Sequence, residues 1–269
     1  MKASAPASSA NLGPGFDCLA LALDLRCEVA VEPTDEWEVA PSDPSGFVES
    51  AARQLRSEPL RISIASEIPI GRGLGSSAAV LSALATAIQR LDGGVEDREA
   101  TFEYVAAEEG HPDNAAAAVF GGLVHAGPHG VYPLEIHASW QPVIAVPDVT
   151  LTTSEARAAL PHDVPLAVAS RTASRMARLI EALRTGDSDL LRTLEPDELH
   201  EPYRIALRPV IGELMRVARS AGAPFVAISG AGPSVIALTT DVSAERLTGA
   251  FEAAGASVLV ARVALEGVR

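Results

Sequence analysis

The sequence predicts an α+β fold divided into two domains, 1–140 and 141–269. Three observations carry this. Short β-compatible runs crowd the first third of the chain, and the pattern turns helix-rich beyond residue 140. Strands and helices also never settle into the regular alternation of a doubly wound sheet.

In order along the chain, "CLALALDL", "CEVAVEP" and "LRISIASEI" read as three short strands. Ser76 to Leu91 is apolar on most faces and reads as a buried helix. Glu96 to Glu109 gives a second helix, and "HPDNAAAAVFGG" a short third one, with Pro112 near its start and Gly121-Gly122 closing it. "LVHAG", "GVYPLEI" and "QPVIAVP" are again strand-like. Three helical stretches follow, Ser154–Leu160, Pro165–Arg184 and Ile205–Ala221. The tail then alternates, with "PFVAIS", "VIALTT" and "SVLVARV" as strands around the turn "GAGPS" and the helix "SAERLTGAFEAAG".

Composition narrows the function. A chain of 269 residues, 48% hydrophobic and 21% charged, folds around a sizeable core. With only 4% aromatics, that core is built of Ala, Val, Leu and Ile. A net charge of −14 argues against a nucleic-acid or membrane-surface role, because either polyanion would be repelled. Cys18 and Cys27 suggest neither a disulfide framework nor a zinc site. No apolar signal segment opens the chain, and no apolar run approaches the ~20 residues that cross a bilayer, so the expectation is a soluble cytoplasmic protein.

One stretch stands out, "PIGRGLGSSAA", residues 69–79. Gly71, Gly73 and Gly75 alternate with other residues at the mouth of a long helix, each costing roughly 0.5–1 kcal/mol of conformational entropy relative to alanine. An anion explains the expense. A helix start offers unpaired N–H groups and partial positive charge, and glycines let the backbone curl around a phosphate. The plain alternative is a Gly-rich turn closed by a serine N-cap. Neither the Walker A pattern nor the dinucleotide G-x-G-x-x-G spacing is present.

Four further segments set polar residues among core or turn residues. "PASSANLGPGFD" carries Asn11 and Asp17 around a Gly-Pro-Gly turn; "EEGHPDNAAAAVFGG" puts His111, Asp113 and Asn114 at a helix start. "HEPYR" offers Arg204, and "ISGAGPSVIAL" a second glycine loop containing Gly232. With these motifs in this order, the chain from residue 3 to about 263 resembles the GHMP family of small-molecule kinases, and within it the homoserine kinases. The phosphate loop and the late G-x-G-P-S are shared across that superfamily, whereas A-x-S-A-N-L-G-P-G-F-D and H-P-D-N are similar to the homoserine kinases in particular.

The resemblance implies a ferredoxin-like C-terminal half and ATP-dependent phosphorylation of the homoserine hydroxyl on the threonine biosynthesis route. It implies that Pro69, Ile70, Gly71, Arg72, Gly73, Leu74, Gly75, Ser76, Ser77, Ala78 and Ala79 wrap the triphosphate. Mg²⁺, a hard ion that prefers oxygen, is implied on Ser76 and Glu103. Arg157 and Arg204 match positions that bind the substrate carboxylate, and Asp17 suits its ammonium. Asn11, His111 and Gly232 are implied around the rest of the substrate, and Asn114, with Asp113, as a catalytic residue at the reacting hydroxyl. Asp113 stands open between general base and positioner, since the lysine that pairs with such a base elsewhere is absent and Lys2 is the only lysine. The chain is compressed between about Val31 and Leu60, a region that would normally help to enclose the adenine ring, and again around residues 125–142. Two readings compete with homoserine: another small hydroxy or amino acid such as threonine, shikimate or mevalonate, and a non-catalytic ligand-binding relative. Dimers are frequent in the family, but this sequence carries no interface signature.

Overall fold

The first strands of the chain pair directly. β1 (Lys2–Ala10) runs antiparallel to the long β2 (Leu19–Pro33). Then come β3 (Glu38–Ala40), α1 (Phe47–Leu55), β4 (Leu60–Ser66), α2 (Ser76–Leu91), α3 (Arg98–Glu109) and α4 (Asp113–Phe120). β5 (Leu123–Gly127) and β6 (Gly130–Leu134) complete a six-stranded sheet of order β3-β4-β2-β5-β6, with β1 on β2. The computed structural model describes residues 1–269, apart from the side chains of Asp241 and Val242.

A second sheet opens with β7 (Gln141–Val146). Helices α5 (Thr153–Ala158), α6 (Leu166–Thr185), α7 (Ser188–Arg192), α8 (Glu201–Leu207) and α9 (Pro209–Ser220) precede β8 (Phe225–Ile228) and β9 (Val235–Thr239). α10 (Asp241–Ala253) and β10 (Ser257–Val260) finish it. Its antiparallel order, β10-β7-β9-β8, places the last strand beside the first, as in a ferredoxin-like split βαβ arrangement. The α+β fold with a ferredoxin-like C-terminal half is therefore present.

Alternation along the second sheet sorts its side chains. Val143, Ala145, Val226, Ile228, Val235 and Ala237 pack on α9 and α10 through Ile211, Leu214, Met215, Leu247 and Phe251. The intervening Ile144, Phe225, Ala227, Ile236 and Leu238 join the core of the first sheet. Both faces are thus buried, and the cavity described below lies where the two halves meet. Ala5, Ala7 and Ala10 of β1 are fully buried beneath α2 and α4. Side chains this small let two helices approach one strand.

Several elements differ from the sequence reading, each for a physical reason. "CLALALDL" and "CEVAVEP" form one strand, since Arg26 continues the ladder with only a register shift opposite Pro6 and Ala7. The single helix expected over 205–221 is two. Pro209 has no N–H to donate and pushes Arg208 to extended backbone (φ −138, ψ 87), so the chain turns between α8 and α9. Asp97 caps α3, accepting from Ala100 N, so that helix starts at Arg98. β1, α1 and α7 carry no periodicity that the sequence reading separated from turn.

Candidate active site

A cavity of about 610 Å³ opens at the junction of the two halves. The glycine stretch forms one wall. Gly71, Gly73 and Gly75 all lie in left-handed backbone, with φ of 68, 74 and 66. Their reasons differ. A Cβ on Gly73 would sit 2.2 Å from Ser229 O and 2.7 Å from Gly232 O, and one on Gly75 2.1 Å from Ser8 Oγ. A Cβ on Gly71 would meet nothing within 4 Å. The loop is therefore packed against the second glycine loop, which also binds it by a Ser229 Oγ–H donated to Gly73 O at 2.8 Å.

The serine-cap alternative fails. The N-cap of α2 is Gly75, with no side-chain cap, and Ser76 and Ser77 line the cavity. The first turn of α2 thus faces the cavity without a local side-chain acceptor, as an anion site requires. The start of α4 lies beside it: Ser8 Oγ donates to Asn114 Oδ1 at 2.8 Å, and a Cβ on Gly75 would lie 3.1 Å from that oxygen. Asp113 Oδ1 accepts from Asn114 N at 2.8 Å and from His111 Nδ1 at 2.9 Å. Burial works against the charged His111 imidazole, but the Asp113 hydrogen bond and the charges of Asp113 and Glu109 outweigh it and raise its pKa.

The end to which the sequence assigns the substrate is made of side chains. Asn11 holds a left-handed backbone (φ 60), donates from Nδ2 to Gly230 O at 2.9 Å and accepts from Asp17 N at 2.8 Å. Arg157 grips Asp17 through two bonds of 2.9 Å. Arg204 is 2% exposed. It donates from Nη1 to Gly230 O at 2.7 Å and lies over the Phe16 ring, 5.4 Å from its centroid. Burial pulls its pKa down to about 10, so it stays cationic at neutral pH. A buried cation with few partners favours an incoming carboxylate.

Most expected residues meet here: Asn11, Pro69, Ile70, Gly71, Gly73, Leu74, Gly75, Ser76, Ser77, His111, Asp113, Asn114, Arg157, Arg204 and Gly232 all line the cavity. Five do not. Arg72 turns away, donating to Pro147 O at 3.0 Å, to Val149 O and to Asp148. Ala78 and Ala79 are fully buried within α2, and the Ala79 N–H is donated to Gly75 O. Asp17 lies behind Arg157 rather than on the cavity wall.

Glu103 is the largest correction. It sits on the exposed outer face of α3 and is absent from the cavity wall, where Glu109 supplies the carboxyl. Six residues at 100° per residue put the two on different sides of the helix. Burial raises the Glu109 pKa, against the opposing pull of the Ser77 hydroxyl and His111. Its place directly before Gly-His-Pro-Asp-Asn was the signal available in the sequence. The compressed segment also contributes, since residues 41–45 with Phe47 and Val48 line the cavity beside Ile64, Ile68 and Val80.

The chain is also similar to known proteins along most of its length. Residues 46–122 match the GHMP kinases N terminal domain and residues 179–257 the GHMP kinases C terminal domain. The chain is 41% identical to the homoserine kinase of Deinococcus radiodurans over 254 residues, 86% of this chain and 82% of that one. It is 40% identical to that of Thermus thermophilus over 248 residues, 87% and 85% of the two. The crystal structure of homoserine kinase from Cytophaga hutchinsonii superposes with a TM-score of 0.88 at 27% identity, covering 100% of this chain and 96% of that one. Mevalonate kinase from L. major shares the fold, with a TM-score of 0.77 at 15% identity over 98% and 95% of the two chains. With family models matched in both halves and relatives 40–41% identical over most of its length, the chain belongs to the GHMP kinase family, alongside the homoserine kinases.

Proposed function

We propose that this protein transfers the γ-phosphoryl group of ATP to the side-chain hydroxyl of L-homoserine, giving O-phospho-L-homoserine for threonine biosynthesis. The observation that carries the reading is the convergence, in one cavity, of the uncapped start of α2 with Arg157 and Arg204. Phosphoryl transfer needs in-line positioning and charge neutralisation more than covalent chemistry, so backbone N–H groups can take the place of a Walker lysine. The apolar recess of Phe47, Val48, Ile64, Ile68 and Val80 suits the nucleoside base.

Mg²⁺ fits the donors present. Among the described residues no cluster of three or more His, Cys, Asp or Glu forms a closed metal cage. Mg²⁺ asks for less, usually one or two carboxylates with phosphate oxygens and water. Glu109, desolvated in the cavity wall, and Ser76 at the start of α2 would hold it, and it would neutralise developing charge on the phosphates.

At the acceptor end, Arg204 and Arg157 receive the carboxylate, and Asp17 behind Arg157 supplies the charge that an ammonium seeks. A zwitterion suits a site whose own guanidinium and carboxylate already stand side by side. Asp113 works as a positioner: its Oδ1 is committed to His111 and to Asn114 N, which fixes the start of α4 and aims Asn114. We divide the chain at about residue 140, since the second sheet begins at Gln141, although the tail pairs back with the first sheet through Leu23 and Val263. Among the described residues no helix is long and apolar enough to cross a membrane, in keeping with a cytoplasmic enzyme.

The test is ADP release with ATP, Mg²⁺ and a panel of acceptors: L-homoserine, threonine, serine, shikimate and mevalonate. The reading expects homoserine to lead. Turnover led by shikimate or mevalonate would overturn the amino-acid assignment, and no turnover with any acceptor would favour a ligand-binding relative.

A further inference from the structure

We propose that His200 is a positioning residue, whose imidazole, locked in one tautomer, sets Arg204 and the Gly13–Phe16 turn in fixed relation at the substrate end of the site. In the sequence this histidine is the first residue of "HEPYR", four before Arg204. It is fully buried and does not line the cavity, so it acts through its neighbours.

Its two ring nitrogens face opposite kinds of group. Nε2 lies 2.9 Å from Gly13 O, a carbonyl that only accepts, so Nε2 carries the proton. Nδ1 lies 3.1 Å from Arg204 Nη1, a guanidinium nitrogen that only donates, so Nδ1 offers its lone pair. Only the neutral Nε2–H tautomer satisfies both. Burial and the neighbouring Arg204 charge hold the imidazole pKa well below its ordinary value, against the opposing Asp197 carboxylate.

The surroundings make this contact rigid. His200 and Arg204 are one helical turn apart. Asp197 Oδ2 accepts the backbone N–H groups of Leu199, His200 and Glu201 at 3.0, 2.7 and 3.0 Å, which pins the chain where the imidazole begins. On its other side the imidazole stacks on Phe16, with centroids 5.1 Å apart and planes 26° from parallel. Phe16 also lies under Arg204 and ends the turn that leads to Asp17, the partner of Arg157. One ring therefore ties the arginine of α8 to the turn that carries Asp17, across 187 residues of sequence.

The inference rests on Arg204 reading the substrate carboxylate, and the test separates the two. His200→Asn keeps an acceptor at the δ position, toward Arg204; His200→Gln keeps a donor at the ε position, toward Gly13, and loses that acceptor. With Gln, the homoserine KM should rise about tenfold, the loss expected for one hydrogen bond to a charged group, with the ATP KM unchanged. With Asn, the homoserine KM should stay within about threefold of wild type, even where both variants lose similar thermal stability. Equal KM changes in the two variants, or none in either, would overturn the inference. If Arg204→Ala itself leaves the homoserine KM unmoved, the carboxylate assignment is at fault; if it raises KM while His200→Gln does not, the fault lies with His200 alone. Nitrogen NMR of the unmodified enzyme needs no variant to fold. A pyrrole-like Nε2 and a pyridine-like Nδ1 at neutral pH are expected, and a tautomer mixture or a protonated ring overturns the proposal.

Discussion

At the end of the cavity that we assign to phosphate, the wall is one contiguous stretch, residues 69–77, whose one cationic side chain, Arg72, is turned away onto residues 147–149. At the end that we assign to the acceptor, the wall carries the side chains of Arg157 and Arg204, from different segments and propped by Asp17, Phe16 and His200. The difference teaches how each end is secured. Backbone recognition depends on a loop shape that residues elsewhere must hold, whereas side-chain recognition depends on guanidiniums held in place by their neighbours, Arg204 buried against Gly230 O and His200 and Arg157 clamped on Asp17.

The sharpest way to break this comparison lies in the loop. Gly73→Ala would drive a Cβ to 2.2 Å from the Ser229 carbonyl, at a φ of +74, so both glycine loops must move. Nucleotide affinity by calorimetry should fall by a hundredfold or more, on the order of the 3 kcal/mol that severe overpacking costs. Gly71→Ala has open space and only left-handed strain to bear, about 1–2 kcal/mol, so its loss should stay at or below roughly 5–30-fold. Gly75→Val is a poor probe of phosphate contact, because the new side chain collides with Ser8 first. Similar losses for Gly71→Ala and Gly73→Ala would show that loop freedom, not packing, governs the phosphate end.

Smaller effects belong to the substrate end. Arg157→Ala and Arg204→Ala each remove a charge-assisted bond of roughly 1.5–3 kcal/mol, so the homoserine KM should rise on the order of 10–100-fold with the ATP KM little changed. Arg204→Ala should also lower the melting temperature, since it strips Gly230 O and His200 of a buried partner. A matching rise in the ATP KM would erase the distinction between the ends.

Between the ends stands the chemistry. Asp113→Asn keeps an acceptor for His111 and Asn114 N, so kcat should fall about tenfold or less; an obligate base would cost about 10²–10⁴. Glu109→Gln should be more damaging at low Mg²⁺ and partly restored by raising it, while Glu103→Gln, on the exposed face of α3, should match wild type. Sensitivity of Glu103→Gln to Mg²⁺ would reinstate the sequence assignment.

The mildest prediction concerns stability. Burial pushes the Glu201 carboxyl up from 4.5 to about 7, opposed by the Ile228 N–H that it accepts. A carboxyl raised in the folded state favours folding while protonated and loses that advantage as pH rises through the folded value. Glu201→Gln keeps the acceptor for Ile228 and removes the ionisation. Its melting temperature should match wild type near pH 4 and exceed it above pH 7, and a constant difference across that range would count against a buried ionisable Glu201.

How far could the sequence be read? The glycine stretch, the helix from Ser76, the H-P-D-N helix start and the alternating strands of the second half were legible, because each is a property of neighbouring residues. The glycine wall of the cavity shares that locality, which is why most of residues 69–79 line it as one stretch. The exceptions, Arg72, Ala78 and Ala79, are residues whose direction only packing sets. Glu103 and Glu109 offered the same carboxyl on the same helix, and nothing local says which side of α3 meets the cavity.

By itself, then, the sequence determined the materials: left-handed glycines before an apolar helix, a polar helix start, period-two strands, and enough Ala, Val, Leu and Ile to bury both faces of a sheet. Only the tertiary structure decided which polar groups meet. Asp17 and Arg157 lie 140 residues apart and Gly13 and His200 187, yet each pair is in hydrogen-bond contact. Backbone preference and hydrophobic period act over a few residues. The distant partner of a polar side chain is chosen by the closure of two sheets on one core, and that closure is a property of the whole chain.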